Sequence, residues 1–431
     1  MKILIPTPVP PNLRSSRIDY VNSIAKELIK KTNVEIFWFV YMPSKTNTKP
    51  INDTKIFDIH SFQNGVELLN HSKPDLILVN YTLEPIQYSL SIAAKFLKIP
   101  IVSFYLVDYN DAFNIDDSQN FFYRSFNEFK KLLRLSLMLK NIGDNKKYFF
   151  PRMLFYLYKK NFLKKTIKSI DNDNMKILRV DYLHKNKIHL INTLADLCIL
   201  SNDSWVEHLK KIGILENKIV VTGNPIDDFL FKLSKQDLKQ KNKSKTTILI
   251  VTDSLYEHGL WSKNERDLVL TSLLKTLNSH SEISFALKIH PSSENLSYYR
   301  SLIDTLQINT HIYQQEILFD LIRDFDLVLT YGYSTAHTQI VCAEKKMIFY
   351  DVNLNLPKMK LIDAGIKSGF VKVCSNVKDI IKIIDELQKY NVLIDEEFIK
   401  ARNEFVFKFD GKSSERICNE LLNLLEKQVK I

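Results

Sequence analysis

The chain has 431 residues, 45% of them apolar and 25% charged, a balance that belongs to globular domains and excludes a disordered chain. Sixty Lys and Arg against 49 Asp and Glu give a formal net charge of +11, and four scattered cysteines without a CxxC pair exclude a disulfide frame or a thiolate zinc site. No stretch reaches the roughly 18 apolar residues of a membrane span, and the opening MKILIPTPVPP has too short an apolar run for a signal peptide.

Lys2–Pro6 reads as a first strand, followed by a helix over Tyr20–Lys31, where apolar residues recur at helical spacing. Strands are expected at Val34–Val40, Asp75–Asn80 and Ile101–Val107, with helices at Val66–Leu69 and Leu90–Leu97 between them. Such alternation implies a parallel sheet covered by helices on both faces. The loop after the first strand, PTPVPPNLRSSR, carries Arg14 and Arg17 and then Asp19. Arginines at a helix start suit a phosphate or carboxylate. The strand at Ile101 runs into Asp108 and Asp111, and an acid at a strand end is a reasonable general base.

The alternation stops at about residue 114, and a helical, basic, aromatic insertion is expected over 114–185. Residues 121–170 hold 13 Lys and Arg against two acids, Glu128 and Asp144, so this segment carries a charge equal to that of the whole chain. Its helices suit an anionic membrane surface, with apolar residues in lipid and lysines against headgroups. A helical arm packed on its own domain has the same composition. No nucleic-acid motif is present, and nucleic acid is not expected as a partner.

Strand and helix resume with Asp196–Ser201, Ser204–Ile212 and Lys218–Thr222. The polar, lysine-rich stretch 233–246 reads as a linker, dividing the chain into a first domain over 1–232 and a second over 247–431. In the second, strands are expected at Thr247–Thr252, Phe285–Ile289, Thr310–Tyr313, Leu327–Thr330, Met347–Tyr350 and Val371–Val373. Helices are expected at Glu265–Leu277, Tyr298–Leu306, Val377–Tyr390 and Ser413–Glu426.

Four motifs carry the chemistry: VVTGNPIDD (Val220–Asp228), ALKIHPSSE (Ala286–Glu294), LVLTYGYSTAHTQI (Leu327–Ile340) and DGKSSERI (Asp410–Ile417). In an open α/β sheet, ligands bind beyond the carboxyl ends of the strands. His290 is delivered to such an end, Pro291 stops the strand, and Ser292 with Ser293 offers hydroxyls and a helix start whose N–H groups bind anions. Gly332 permits a tight turn, and Ser334 with Thr335 falls where the next helix begins. Two such sites in one domain fit the phosphates of a nucleotide. The loop Asp253–Glu265 adds Glu257, His258 and Lys263, which would close over the donor.

Together these motifs resemble the GT-B glycosyltransferases and their relative, the non-hydrolysing UDP-N-acetylglucosamine 2-epimerase. The resemblance covers residues 190–425 and, more weakly, the opening strand and helix. It implies an α/β fold of two Rossmann-like domains facing a cleft, with the basic helical insertion in the first. The epimerase's acids fall here on Tyr105, His337 and Thr338, so that acid set is absent. The His-Pro and Ser-Thr pairs also resemble those of bacterial sialyltransferases, Kdo transferases and CDP-glycerol-dependent polymer synthases. The resemblance implies a sugar transferase without metal or other cofactor, its nucleotide-sugar a substrate. The acceptor would be a saccharide or lipid-linked sugar of the cell envelope, with Asp19, Asp108 or Asp111 as base. Such an enzyme would lie in the cytoplasm, on the inner face of the membrane. Alternatives are a CDP-glycerol-type glycerophosphotransferase, an epimerase-like enzyme, and a non-catalytic nucleotide-binding module.

Overall fold

The computed structural model describes residues 1–7, 16–41, 55–80, 85–105, 146–170, 194–211, 213–235, 245–257, 261–291, 294–331, 335–352, 360–390 and 394–429. The chain divides into two compact units, one of Met1–Asn224 with Ser414–Ile431, the other of Pro225–Ser413. The passage therefore falls at Asn224–Pro225, ahead of the 233–246 stretch, of which residues 236–244 lie outside the described residues. Among the described residues, no helix is long and apolar enough to cross a membrane.

In the first unit, strands β1 (Lys2–Thr7), β2 (Glu35–Val40), β3 (Lys55–Asp58), β4 (Leu76–Asn80), β5 (Ile101–Tyr105), β6 (Leu197–Leu200) and β7 (Ile219–Val221) form one sheet in the order β3-β2-β1-β4-β5-β6-β7. All its pairings are parallel. The runs ILI, LILV and IVSFY are buried from end to end, as strands covered on both faces must be. Helices α1 (Ser16–Ile29), α2 (Gly65–Ser72), α3 (Pro85–Phe96), α4 (Lys146–Ser169) and α5 (Val206–Lys211) join them. The short edge strand β3 is not apparent from the sequence pattern, because its burial is only partial.

Helix α3 is buried at every residue from Pro85 to Ala94. A helix on a sheet ordinarily shows one polar face. Here α4 covers that outer face. Phe162, Leu163 and Ile170 join the core of the unit, and Phe162 lies 5.9 Å from Phe39, ring to ring. Thr166 Oγ1 accepts the Gly65 N–H at 2.8 Å and lies 2.6 Å from Ser89 Oγ. The described part of the basic insertion is thus packed on its own domain. Phe162, Leu163 and Ile170 are therefore not available to lipid, while the apolar side chains of 121–157, on which the expected membrane contact also rests, lie outside the described residues. Lys160, Lys164, Lys165 and Lys168 are exposed on the other face.

In the second unit, β8 (Thr246–Val251), β9 (Ile283–Lys288), β10 (His311–Tyr313), β11 (Leu327–Tyr331), β12 (Met347–Tyr350) and β13 (Val371–Cys374) form a parallel sheet in the order β10-β9-β8-β11-β12-β13. Helices α6 (Pro225–Ser234), α7 (Lys263–Asn278), α8 (Leu296–Thr305), α9 (Leu318–Leu321), α10 (Thr335–Cys342), α11 (Lys360–Lys367), α12 (Ile380–Lys389) and α13 (Glu396–Phe405) surround it. Helix α14 (Ser413–Val429) returns the chain to the first unit, where Ile417, Cys418 and Leu421 pack among Ile3, Ile5 and Val21.

Two of the sequence motifs are used at this passage. Within the second unit the Ser413 N–H donates to Asp228 Oδ1 at 2.7 Å. Within the first, Arg416 Nε donates to the Thr222 carbonyl at 2.7 Å. Gly411 has φ +73°, and a Cβ there would come within 2.7 Å of Phe231, so glycine is required. All four cysteines are buried free thiols, and burial pushes Cys198 up to about 12.

Candidate functional site

Each sheet reverses its strand order once, and in open α/β sheets such a reversal opens a crevice at the carboxyl ends. In the second unit the reversal lies between β8 and β11. The carboxyl ends there are Thr252, one residue beyond β8, and Tyr331, the last residue of β11. Beyond the neighbouring β9 lies His290. The two motifs singled out for phosphate binding, around His290 and around Ser334, thus belong to strands at or beside the switch point.

Glu294 is the centre of this strand-end cluster. It is 5% exposed. Its Oε2 accepts the Thr252 hydroxyl at 2.5 Å and the His290 N–H at 2.5 Å, and its Oε1 accepts the Tyr299 hydroxyl. The Tyr331 phenol lies beside that of Tyr299. Burial holds both phenols well above their usual pKa, so they stay neutral. The Tyr331 ring is stacked on Trp261, with centroids 5.4 Å apart and planes 13° apart. One buried carboxylate therefore connects β8, the turn after β9, and helix α8, and through Tyr299 it reaches β11.

His290 itself is exposed at the sheet edge. Its backbone N–H is used by Glu294 and is not a donor for a ligand. The Pro291 carbonyl accepts from Gln315 Nε2 at 3.0 Å. Ser292 lies outside the described residues. The helix after this turn begins at Leu296, with Asn295 as its N-cap accepting from the Ser297 N–H. That corrects the expectation of a helix opened by Ser292 and Ser293: the N-terminal N–H groups come later in the chain. On the second motif, α10 begins at Thr335, as expected. Gly332 and Ser334 lie outside the described residues, as does the Thr335 side chain.

The loop after β8 is held at both described ends. Tyr256 lies against the guanidinium of Arg266, 4.1 Å from its ring centroid, and Tyr298 covers the other side at 3.5 Å. Glu257 lies 3.8 Å from Arg266, so its carboxylate is engaged in an ion pair rather than simply offered to a donor. The Trp261 N–H donates to the Leu255 carbonyl at 3.1 Å. Lys263 is exposed in the first turn of α7, next to the N-cap Ser262, and His258 lies outside the described residues.

For the first unit, Arg14, Asp108 and Asp111 lie outside the described residues. Arg17 and Asp19 fall in α1, with their side chains outside them. The three positions where the epimerase resemblance expects acids are built as neutral core. Tyr105 is fully buried, its ring 4.9 Å from Trp205. His337 is 2% exposed, edge-on to Phe349, and burial lowers its pKa to about 4. Thr338 is buried beside it in α10. Among the described residues, no group of three or more His, Cys, Asp and Glu side chains is arranged to hold a metal ion.

The residues that sequence reasoning passed over are Glu294, Thr252, Tyr299, Tyr331 and Trp261. Glu294 closes the HPSSE motif, and its spacing from His290 was the one signal available. The others look like ordinary strand-end and helix residues.

No protein-family model matches the chain, and no curated protein sequence matches it. Its likeness is to solved structures. The structure of S. aureus MnaA with UDP has 15% sequence identity and a TM-score of 0.51, over 98% of this chain and 96% of that one. A UDP-N-acetylglucosamine 2-epimerase from Listeria monocytogenes has 13% identity and a TM-score of 0.52, over 99% and 97%. The Methanocaldococcus jannaschii UDP-GlcNAc 2-epimerase in complex with UDP-GlcNAc and UDP has 13% identity and a TM-score of 0.50, over 98% and 99%. These likenesses, with the two parallel sheets, show a GT-B fold of two Rossmann-like domains.

Proposed function

We propose that the protein is a nucleotide-sugar-dependent GT-B enzyme, a glycosyltransferase, whose second domain holds the nucleotide at the β8–β11 switch point. The observation that carries this reading is the built polar cluster there, with His290 exposed beside it and α10 starting at Thr335. A helix start and an imidazole are suited to a diphosphate leaving group, whose developing charge they stabilise. Structures of this fold that were solved with UDP support a nucleotide as the ligand class.

Transfer is favoured over epimerisation by one feature. The positions that would carry the epimerase acids hold Tyr105, His337 and Thr338, all buried and neutral. The acceptor is proposed to be a saccharide or lipid-linked sugar, with the base among Asp19, Asp108 and Asp111. The row Lys160, Lys164, Lys165 and Lys168 is proposed to meet an anionic membrane surface on the cytoplasmic side by electrostatics, because Phe162 and Leu163 beside them are buried in their own domain.

Calorimetric titration with UDP, CDP, GDP and CMP tests the nucleotide. Binding by the wild type, weakened about tenfold in H290A, is the expected result. Release of free nucleotide from a sugar donor only when acceptor is supplied marks a transferase. Binding without turnover leaves the second reading, a nucleotide-binding module.

A further inference from the structure

We propose that Glu294 is a positioning residue of the nucleotide site: it sets the placement of His290 against the switch point, and phosphate affinity depends on that placement. The proposal rests on the nucleotide reading above. It starts from the three donors on one buried carboxylate. Thr252 belongs to the end of β8, His290 to the turn after β9, and Tyr299 to α8. The β8–β9 ladder sets Thr252 beside β9, its N–H donating to the Lys288 carbonyl at 3.0 Å and its hydroxyl lying 3.3 Å from the same oxygen, and the bond to Glu294, 42 residues on, ties that strand end to the turn beyond β9.

A buried carboxylate is costly unless its oxygens are satisfied. Here both are, and no Lys, Arg or His among the described residues forms an ion pair with it. A residue serving packing alone would be better supplied by a leucine, since removing a charge and its partners together is close to neutral. Charge-assisted bonds have narrow geometry. What the carboxylate supplies is therefore a fixed position for the His290 backbone. Gln314 strengthens the same turn, donating from Nε2 to the Glu294 carbonyl at 3.0 Å. The His290 ring is exposed at this strand end and is the group proposed to meet the ligand.

A double-mutant cycle separates positioning from general support. UDP and uridine affinities are measured for wild type, E294Q, H290A and E294Q/H290A, with T252V as a milder loss of one donor should E294Q fold poorly. Expected is an approximately tenfold loss of UDP affinity in E294Q, unchanged uridine affinity, and a double variant no worse than H290A alone. T252V should lose UDP affinity by a smaller factor, again without effect on uridine. Amide exchange at His290 should accelerate in E294Q. Unchanged UDP affinity in E294Q, equal losses for UDP and uridine, or additive effects of the two substitutions would each overturn the positioning role alone. Failure of the wild type to bind any of UDP, CDP, GDP and CMP would overturn the nucleotide reading and, with it, this inference.

Discussion

The hydroxyls of Ser89 and Thr166 lie 2.6 Å apart in the buried seam between α3 and α4, 77 residues apart in the chain. Thr166 Oγ1 also takes the Gly65 N–H and donates to the Phe162 carbonyl. One side chain thereby pins three helices. The described helix of the basic insertion is an integral part of the first domain, and Lys160, Lys164, Lys165 and Lys168 are exposed along it.

The T166V substitution should destabilise the first domain by about 1–3 kcal/mol, because it keeps the volume and leaves the Gly65 N–H and the Ser89 hydroxyl without their partner. Urea denaturation followed by far-UV circular dichroism measures this. A midpoint equal to that of the wild type would show that the seam is not a significant source of stability.

Reversing charge at Lys160, Lys164, Lys165 and Lys168 to glutamate should leave the fold intact, since all four are exposed. It should abolish sedimentation with vesicles of phosphatidylglycerol. Wild-type binding should weaken as salt rises toward 0.5 M, where screening acts within a few ångströms. Retention of the quadruple variant on the vesicles would remove α4 as the docking surface.

Acid should destabilise the second domain through His337. Burial lowers its folded pKa to about 4, against an ordinary value of 6.5. Between these values the unfolded chain binds a proton that the folded chain does not, so stability is lost as pH falls from about 6.5 to about 4. The loss is on the order of 3 kcal/mol. Thermal unfolding from pH 7.5 to 4.5 should show a shallower decline in H337Q than in the wild type. Parallel declines would assign the acid sensitivity to other groups.

Donor turnover should persist in excess EDTA, because the proposed stabilisation of the leaving phosphate comes from His290 and the start of α10 rather than from a bound cation. Loss of activity in EDTA that returns with magnesium or manganese would place a metal in the reaction.

The sequence by itself determined the class of fold. Apolar runs such as LILV (76–79) and ILIV (248–251), separated by segments of helical spacing, are best satisfied in parallel strands covered on both faces, and the motifs at their ends follow from chain order. Strand β3, helices α6, α11 and α13, and the edge of each element are less legible, because partial burial leaves weak periodicity. The candidate site was half visible: the His290 turn and the start of α10 are local signals. Glu294 was not, since its donors at Thr252 and Tyr299 come together only when β8, β9 and α8 are placed side by side. The same limit governs α4. An apolar face buys burial equally from lipid or from a neighbouring helix, and composition cannot distinguish them. Only the tertiary structure decided that Phe162, Leu163 and Thr166 belong to the protein's own core while Lys160, Lys164, Lys165 and Lys168 remain outside.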